Sequence, residues 1–502
     1  MYLGGYKMEN LTFGTQRIVH LDLKGAPLKV SYFEKFFPFI KSIGATGILL
    51  EWEDTFPYSR ELLQIGGLSN SAQIQSAPYS LEEAKQILYL ASDCGLTIIP
   101  LVQTFGHMEF VLKHDQWRAL REVDAYPSSM CPSNSETMPL VRSLIKQIVA
   151  FHQNIEYIHI GGDEIWHMGL CNSCQKRIQN GKYGRHGLYL DHVTEVAQYI
   201  RDNYSNLKII IWDDMLRNID ANVMQDYYLG NLIEPMLWHY CSSDNFQLGG
   251  QLWEKYAAVF KNVWGASAFK GATSSAQVIP ISKFHISNHE AWLNELGLHA
   301  GKIINFRGIV LTGWSRFDHY ATLCELLPCA IPSLTICVKT WLCGGFNSEL
   351  NRSVKKMLGY NENFLDTDVP PRNPLLSQLD FPGWQIFVGF EWFVNLKSRY
   401  KSIIESDQMN TWFNSWQIAN NYTNPMQIDA IFPVINEVLT EVTSLETYLK
   451  ANLEQIYFSH TIDELLGTLI NPIKNNLKQI KSDCETQLAL GCRVRGKKLN
   501  LV

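Results

Sequence analysis

Short apolar runs rich in β-branched residues recur along the first 345 residues, and a longer segment follows each of them. The first four runs lie at residues 17–24, 47–53, 96–103 and 157–164, and four more lie at 208–214, 234–240, 259–267 and 308–314. Amphipathic segments of helical length lie between them, for example at 32–43, 80–94, 138–153 and 186–203. This alternation is typical of a parallel sheet with crossover helices.

Eight such units within roughly 330 residues match the count and length of a (β/α)8 TIM barrel, so we predict an α/β fold of this type. An open doubly wound sheet is the alternative, but no glycine-rich phosphate-binding fingerprint follows the first strand. In a barrel the active site lies at the carboxyl ends of the strands. Polar and aromatic residues at those ends are therefore the candidates for function.

The strand-like runs stop after residue 345. The proline-rich segment 366–374 predicts a loop or linker. Apolar residues then recur at helical spacing, at Ile435, Val438, Val442, Leu445, Leu449 and Ile456. We predict three regions, which are an N-terminal extension at 1–14, a catalytic barrel at 15–345 and a helical C-terminal domain at 346–502.

Composition narrows the class of protein and its location. The chain has 502 residues, 46% of them hydrophobic, a net charge of −6 and eleven cysteines. The charge gives no basic surplus for nucleic acid, and no run of about 18 apolar residues predicts a membrane span. Residues 1–16 lack the apolar core of a secretory signal, and an odd number of scattered cysteines favours reduced thiols. We expect a cytoplasmic protein, with the nucleus as an alternative, that binds neither nucleic acid nor membranes.

Two adjacent carboxylates, Asp163 and Glu164, end the fourth run in the stretch "YIHIGGDEIW". Successive strand side chains point to opposite faces, so both acids can reach a pocket only if the strand ends or is distorted there. Paired acids at a barrel mouth suggest glycoside hydrolysis, but a retaining pair sits about 5 Å apart, and the seventh run, "NVWGAS", brings no second acid. A substrate that supplies its own 2-acetamido nucleophile removes that need. The plainer alternative is an acidic pair that caps the next helix.

Wider motifs strengthen the functional interpretation. "HIGGDE", together with "VHLDLKGAP", "PLVQTFGHMEFVLKH", "WDDM", "ASAFKGAT" and "TGWSRFDHY", resembles glycoside hydrolase family 20, the β-N-acetylhexosaminidases, over residues 15–345. The resemblance implies removal of terminal β-linked GlcNAc or GalNAc from an amino-sugar glycoside, with no metal or other cofactor.

The resemblance also implies roles for individual residues. Glu164 is the acid/base, and Asp163 orients and stabilises the acetamido group. Arg17 binds sugar hydroxyls, and His107 links the acid/base to a second-strand acid, either Glu53 or Asp54. Further residues assigned to the substrate are Asp22, Trp212, Asp214, Trp238, Trp264, Phe269, Trp314, Arg316 and Asp318.

Three departures from the family pattern bear on specificity. Gln103 and Phe105 replace an Asp and a Pro before His107. Phe269 stands where the family has a tyrosine that donates to the acetamide carbonyl, so we assign that role to Tyr240. Arg316 replaces a glutamate two residues after Trp314, which leaves the choice between GalNAc and GlcNAc open.

The segment "HMGLCNSC" places His167, Cys171 and Cys174 close together. A fourth ligand would make these a structural zinc site. A single CxxC without its second half favours ordinary reduced thiols, and we predict no metal. A homodimer formed through the helical tail is left open.

Two other functions compete with hydrolysis. One is a catalytically silent sugar-binding barrel, against which the intact Asp163 and Glu164 argue. The other is a metal-dependent barrel hydrolase, which needs a histidine pair where the first run offers only His20 with Asp22. Family 18 chitinases need a D-x-x-D-x-D-x-E run that is absent.

Overall fold

The structure is a computed structural model that describes residues 14–66, 79–361 and 378–494. The described residues fall into two compact units, of which the first comprises those up to 361 together with 378–382, and the second comprises 383–494. The predicted linker at 366–374, and the predicted extension apart from its last residue, Gly14, lie outside the described residues.

Ten strands are described in the first unit. In chain order they are β1 (Gln16–Asp22), β2 (Gly47–Glu51), β3 (Thr97–Leu101), β4 (Arg121–Val123), β5 (Tyr126–Met130), β6 (Tyr157–His159), β7 (Lys208–Trp212), β8 (Glu234–Trp238), β9 (Asn262–Lys270) and β10 (Asn305–Gly313). All except β4 and β5 are parallel and form a closed barrel in the order β1-β10-β9-β8-β7-β6-β3-β2. The predicted TIM barrel is confirmed.

Helices follow the barrel strands. They are α1 (Val30–Ile43), α2 (Leu63–Gly66), α3 (Leu81–Asp93), α4 (Glu109–Leu112), α5 (Thr137–Phe151), α6 (Asn172–Asn180), α7 (Gly184–Asn203), α8 (Ala221–Asp226), α9 (Leu229–Leu232), α10 (Gly250–Val259), α11 (Ser282–His299), α12 (Leu327–Cys343) and α13 (Ser348–Met357). Local signals set their ends. Ser80 and Glu83 form a capping box that begins α3, and Gly44 ends α1 in a left-handed conformation.

Inward-facing side chains fill the barrel below its carboxyl end. The apolar cluster contains Ile18, Leu49, Ile99, Leu101, Tyr157, Ile210, Trp212, Met236, Trp264, Ala266 and Val310. Because side chains alternate along a strand, the same inward faces continue two residues later as His20 on β1 and Glu51 on β2. The apolar layer thus supports a polar layer at the end where the site is expected.

The antiparallel hairpin β4–β5 is an insertion between β3 and α5 that the alternation of apolar runs did not predict. It pairs with the loop that follows β3, because Met130 N–H donates to the Phe105 carbonyl and Met108 N–H donates to the Ser128 carbonyl. The hairpin therefore supports the loop that carries His107.

The first unit extends past the predicted boundary at residue 346. Helix α13 belongs to it, since Val354 and the following Leu358 are buried. Asp380 N–H also donates to the Leu358 carbonyl, which ties residues 378–382 to the same unit. The end of the strand-like runs therefore marked the end of the sheet and not the end of the unit.

The second unit is helical, as predicted. Its helices are α14 (Trp384–Ile404), α15 (Ser415–Ala419), α16 (Pro425–Leu453), α17 (Ser459–Leu465) and α18 (Asn471–Leu490). The predicted apolar positions from Ile435 to Leu449 form the buried face of α16, whereas Ile456 lies beyond its end. Among the described residues, no helix has the length and hydropathy needed to cross a bilayer.

Glu391 on α14 makes the stability of the second unit depend on pH. Burial raises the pKa of this carboxyl from 4.5 to about 8, so the folded state favours the protonated acid. Stability is then lost as pH rises from the unfolded pKa through the folded pKa, by an amount on the order of 5 kcal/mol. Glu391→Gln mimics the protonated acid. We expect it to raise the melting temperature at about pH 9 and to leave it unchanged at about pH 4.

The exposed Glu405, at the end of the same helix, gives the matched control, Glu405→Gln. Melting curves recorded across this pH range should have the same pH dependence in the control and in the parent. Parallel pH profiles for Glu391→Gln and the parent would contradict the assignment.

Candidate active site

A cavity of about 220 Å³ lies at the carboxyl ends of the barrel strands. The predicted site residues that line it are Glu53, His107, Asp163, Glu164, Trp212, Trp238, Tyr240, Trp314, Arg316 and Asp318. The prediction had not assigned a site role to Lys24, Glu51, Gln103, Gly271, Ala272, Phe317 or His319, which also line it.

The backbone after β6 lets two adjacent acids share one cavity. Strand β6 ends at His159, and the following Gly161 and Gly162 have φ values of 64° and 84°. At Gly161 a Cβ would also lie 1.9 Å from the Gln103 side-chain oxygen, so only glycine fits. Glu164 itself has a φ of 44°. The regular alternation of side chains is therefore interrupted before the acidic pair, as the sequence predicted.

His107 contacts both acids. Its Nε2 lies 3.4 Å from Asp163 Oδ2 and 3.4 Å from Glu164 Oε2. Gly106 permits this approach, because a Cβ there would lie 2.2 Å from the Asp163 carbonyl oxygen. Burial alone would lower the pKa of His107, but the charges of Asp163 and Glu109 and hydrogen bonds to Asp163 and Glu164 raise it well above its usual value. The acidic neighbours therefore favour the protonated imidazole.

The predicted partners of His107 on the second strand are bound elsewhere. Glu53 accepts a hydrogen bond from His319 Nε2 at 2.6 Å, and Asp54 pairs with Lys113 Nζ at 2.5 Å. Strand β2 ends at Glu51, and a 3₁₀ turn at Glu53–Thr55 carries these acids away from β3. The predicted link from His107 to a second-strand acid is therefore wrong, and His107 contacts Asp163 and Glu164 instead.

Lys24 lines the cavity but was not among the predicted site residues. Its Nζ lies 2.9 Å from Asp22 Oδ2, 3.7 Å from Glu53 Oε1 and 5.5 Å from the centre of the Trp314 ring. Burial disfavours the ammonium, but the charges of Asp22, Glu53 and Glu51 outweigh it and raise the pKa of Lys24. Its position two residues after Asp22, on the same face, was the signal available in the sequence.

Asp22 does not line the cavity as predicted. Besides Lys24, it binds the backbone of the eighth barrel strand's end, where Ser315 N–H donates to Oδ2 at 2.8 Å. Glu51 has a comparable supporting position, since it binds His20 Nε2 at 3.0 Å and Gln103 Nε2 at 3.3 Å. These contacts fix one wall of the cavity.

Aromatic rings form another part of the cavity lining. Trp212 and Trp314 lie with ring centres 6.1 Å apart, and Trp238 stacks on Tyr240 at 5.2 Å. Burial raises the pKa of Tyr240, so its hydroxyl stays protonated and can donate a hydrogen bond. The three tryptophans and Tyr240 lie at the strand ends where the sequence placed them.

Asp214 holds this wall against the acidic pair instead of lining the cavity. Its Oδ2 accepts the Glu164 N–H at 3.0 Å, and its Oδ1 accepts Trp238 Nε1–H at 3.3 Å. Burial and the nearby charge of Asp163 raise the pKa of Asp214 to about 7. Asp214 therefore supports residues that line the cavity and does not line it itself.

Known proteins resemble the chain in sequence. The model of the glycosyl hydrolase family 20 catalytic domain matches residues 51–249. Hexosaminidase D of Homo sapiens is 35% identical over 470 residues, which cover 93% of this chain and 94% of that protein. The chain belongs to glycosyl hydrolase family 20. Hexosaminidase D of Bos taurus is 40% identical over 344 residues, covering 68% of this chain and 96% of that protein.

A solved structure shows the same fold. The crystal structure of a β-N-acetylhexosaminidase superimposes with a TM-score of 0.51 at 14% identity, covering 73% of this chain and 81% of the other. Family membership makes the chain a glycoside hydrolase, and the cavity with its paired acids is the candidate active site.

One residue assigned through the family resemblance lies at the wrong end of the barrel. Arg17 is the second residue of β1, and its guanidinium donates to the carbonyls of Gly44 and Thr15. It therefore lies at the amino end of the strand, opposite the cavity. Arg17 stabilises a turn and does not reach a sugar in this glycoside hydrolase.

Two aromatic residues of β9 also differ from the prediction. Trp264 lies in the barrel interior, where its Nε1 donates to Glu234 Oε2 at 2.8 Å. Phe269 is fully buried against β10, since a Cβ at Gly313 would lie 2.5 Å from its ring. Trp264 and Ala266 point into the barrel, so the alternation of side chains along β9 points Phe269 outward, away from the cavity.

Arg316 and Asp318 line the cavity as predicted, in the loop after β10. Arg316 Nη1 donates to the Ala321 carbonyl at 2.7 Å, and Asp318 Oδ1 accepts the N–H groups of Tyr320 and Ala321. Both side chains thus stabilise the loop that also presents His319. This loop supplies polar groups on the side of the cavity next to Glu53.

Proposed function

We propose that this glycoside hydrolase is an exo-acting β-N-acetylhexosaminidase that removes terminal β-linked GalNAc or GlcNAc with retention of configuration. The nucleophile is the carbonyl oxygen of the substrate's own 2-acetamido group. Family membership and the relatives named hexosaminidase support an amino-sugar substrate. The residues of the cavity support the substrate-assisted route.

The observation that carries the proposal is the environment of Asp163. This side chain lines the cavity and is 7% exposed, and its Oδ1 is buried without a hydrogen-bond partner among the described residues. A buried carboxylate oxygen accepts hydrogen bonds only, so leaving it unpaired is costly. The N–H of a 2-acetamido group supplies the missing donor, and the negative charge stabilises the cation that forms next.

The exposure of Glu164 supports its role as the acid. Its side chain is 36% exposed, at the mouth of the cavity, so it can reach the oxygen of a leaving group. In the first step the acetamide oxygen bonds to the anomeric carbon, the glycosidic bond breaks, and the Glu164 proton passes to the leaving oxygen. Water then attacks the anomeric carbon of the oxazolinium ion, the bond between that carbon and the acetamide oxygen breaks, and the water gives a proton back to Glu164.

Besides Asp318, which accepts two backbone N–H groups, two other acids of the cavity wall are engaged with cationic or amide groups. Glu51 binds His20 and Gln103, and Glu53 binds His319 and Lys24. A second carboxylate free to attack the anomeric carbon is therefore not provided by either of them, which favours the substrate-assisted route over the ordinary retaining pair.

The cavity also favours a single terminal sugar. Its volume is at the small end of ligand pockets, and three tryptophans offer flat apolar surfaces to a sugar ring. Lys24, Glu53 and His319 offer donors and acceptors to the hydroxyl groups. A cytoplasmic or nuclear location is part of the proposal, and the lack of any disulfide among the described cysteines agrees with it.

The direct test compares aryl β-GalNAc and β-GlcNAc with the aryl β-glucoside, which lacks the acetamido group. We expect turnover of at least one amino sugar, no detectable turnover of the glucoside, and competitive inhibition by a GlcNAc- or GalNAc-thiazoline. NMR of the first product should show the β anomer. Turnover of the glucoside, or an α first product, would contradict the proposed mechanism, whereas sugar binding without turnover would indicate a silent binding barrel.

A further inference from the structure

Three thiols and one carboxylate converge at the base of the hairpin β4–β5. Cys131 Sγ lies 3.5 Å from Cys171 Sγ and 3.6 Å from Cys174 Sγ, and Cys174 Sγ lies 3.2 Å from Glu122 Oε2. The four donor atoms all lie within 4.8 Å of one another. Glu122, Cys131 and Cys174 are buried, so this is an enclosed group of soft ligands with one acid.

The cluster corrects the ligand set suggested by the sequence. His167 does not join it but stacks on Tyr126 with ring centres 4.2 Å apart. Cys131 and Glu122 join the CxxC pair instead. Cys131 lies 40 residues and Glu122 lies 49 residues before Cys171, in and next to the hairpin. The short CxxC motif therefore indicates only half of the site.

We propose that Glu122, Cys131, Cys171 and Cys174 bind one structural zinc ion. Tetrahedral zinc with Zn–S bonds of about 2.3 Å has sulfur–sulfur edges of about 3.8 Å. The observed separations of 3.5 and 3.6 Å need only a few tenths of an ångström of expansion to accept the ion. Four protein ligands leave no open position, which is the arrangement of a structural zinc and not of a catalytic one.

The surroundings orient the ligands as a metal site requires. Glu122 Oε1 accepts the N–H groups of Leu170 and Cys171 at 2.6 and 2.8 Å, which leaves Oε2 directed at the thiols. Cys171 Sγ also accepts the Cys174 N–H at 3.4 Å. Such hydrogen bonds fix the ligand geometry in protein metal sites.

The charge of the site can be balanced. Binding forms four metal–ligand bonds and releases three thiol protons to solvent, so the complex carries two negative charges. The backbone N–H groups already aimed at Glu122 and Cys171 offset part of this charge. Arg177 lies on the same side, with Nη1 donating to the Pro132 carbonyl at 2.8 Å and to Ser133 Oγ at 3.3 Å. Ser133 Oγ in turn lies 3.0 Å from Cys174 Sγ.

A disulfide is the competing use of these thiols. It would join two of the three sulfurs and release two electrons to an oxidant. The third thiol and Oε2 of Glu122 would then take no part in the new bond. Zinc uses all four donors without any oxidation, so the convergence of the carboxylate with the three thiols favours the metal.

The position of the cluster indicates what the ion would stabilise. None of its four residues lines the cavity. Cys131 follows β5, which pairs with the loop carrying His107, and Cys171 begins α6 shortly after Asp163 and Glu164. Zinc therefore crosslinks the two segments that hold the acidic pair and its histidine in register.

The test is the metal content of the full-length chain, purified under reducing conditions without chelators. We expect about one zinc per chain by mass spectrometry. Cys131→Ser and Cys171→Ser should each lower this content at least about tenfold. Cys94→Ser, which changes a cysteine outside the cluster, should leave it unchanged.

Wild-type protein gives a second readout that does not depend on how the variants fold. Removal of zinc by a chelator should lower the melting temperature by several degrees, and added zinc should restore it. Cobalt in place of zinc should give thiolate-to-cobalt charge-transfer absorption. The proposal is overturned if the reduced chain neither contains nor takes up zinc, if the cysteine variants keep it, or if the purified thiols form a disulfide that excludes it. None of these readouts uses hydrolytic activity, so this test is independent of the proposed function.

Discussion

Replacement of Glu164 by glutamine is expected to lower kcat/KM for an ordinary aryl β-N-acetylhexosaminide by about 10²–10⁴-fold, the range that general acid catalysis contributes. Glutamine keeps the shape of the side chain but has no proton to give to a leaving oxygen. The side chain is only partly buried, so the fold should tolerate the change. Binding of the substrate should change much less, because the sugar is held by the tryptophan wall and the polar groups beside Lys24.

The leaving group gives this prediction a sharper form. A dinitrophenyl glycoside needs little protonation of its leaving oxygen, so the loss caused by Glu164→Gln should shrink markedly with that substrate. The exposed Glu82 on α3 provides the matched control, since Glu82→Gln should behave as wild type. An equal loss with both substrates, or no loss with either, would exclude Glu164 as the acid. Rates measured for the two glycosides with all three proteins settle the point.

The barrel was predictable because the same pattern, an apolar run followed by a segment of helical length, occurs eight times. Eight apolar runs separated by helix-length segments leave few arrangements that bury every run, and a small error at one end does not change the fold. The residues at which individual strands end were less predictable. The run at 157–164 reads as one strand, yet β6 ends at His159 because Gly161 and Gly162 adopt left-handed backbone conformations. Those glycines were visible in the sequence, and they are also why both acids reach the cavity.

Which face a side chain occupies was harder to infer than which strand it belongs to. Phe269 occupies the position that the family resemblance assigns to a substrate contact, but the register between β9 and β10 skips one residue there. Alternation from the inward-facing Trp264 and Ala266 points Phe269 outward with or without this shift, so the family resemblance, and not the strand pattern, gave the wrong face. The outcome is a buried Phe269 and a neighbouring Lys270 that donates to the Trp314 carbonyl at 2.6 Å.

The position of Arg17 could have been inferred correctly from the sequence. It lies five residues before Asp22 in one strand, and a strand rises about 3.3 Å per residue, so the two side chains are about 16 Å apart along the barrel. A residue that far from the carboxyl end cannot share a pocket with Asp163. Lys24, two residues after Asp22, lies beyond the carboxyl end of the strand and therefore reaches the cavity.

Long-range contacts account for what the sequence could not provide. The hairpin β4–β5 has no strong periodic signal, and its pairing with the loop after β3 is set by tertiary contacts. The meeting of Cys131 with Cys171 depends on this hairpin. His107 and its contact with Glu164 were inferred from the family motif, but its contact with Asp163 was not, because that contact depends on how two loops pack against each other.

Asp163→Asn is expected to lower kcat/KM by at least about 10²–10³-fold, the loss seen when a preorganised transition-state partner is removed. The charge that stabilises the oxazolinium ion disappears. A second effect arises from His107, whose Nε2 lies 3.4 Å from Asp163 Oδ2. The amide oxygen of the introduced asparagine should turn toward that donor, which places the amide NH₂ where Oδ1 now lies. A donor would then face the acetamido N–H.

Three measurements distinguish this effect from that of Glu164→Gln. The loss should persist with the dinitrophenyl glycoside, because every substrate needs its acetamido group oriented. Affinity for the thiazoline inhibitor should fall by a comparable factor. The pKa of His107, followed by NMR, should decrease, since the charge of Asp163 is the largest influence that raises it. The exposed Asp93 on α3 gives the control, Asp93→Asn. Full thiazoline affinity in Asp163→Asn would show that Asp163 does not hold the acetamido group, and the nucleophile would then have to be sought outside the substrate.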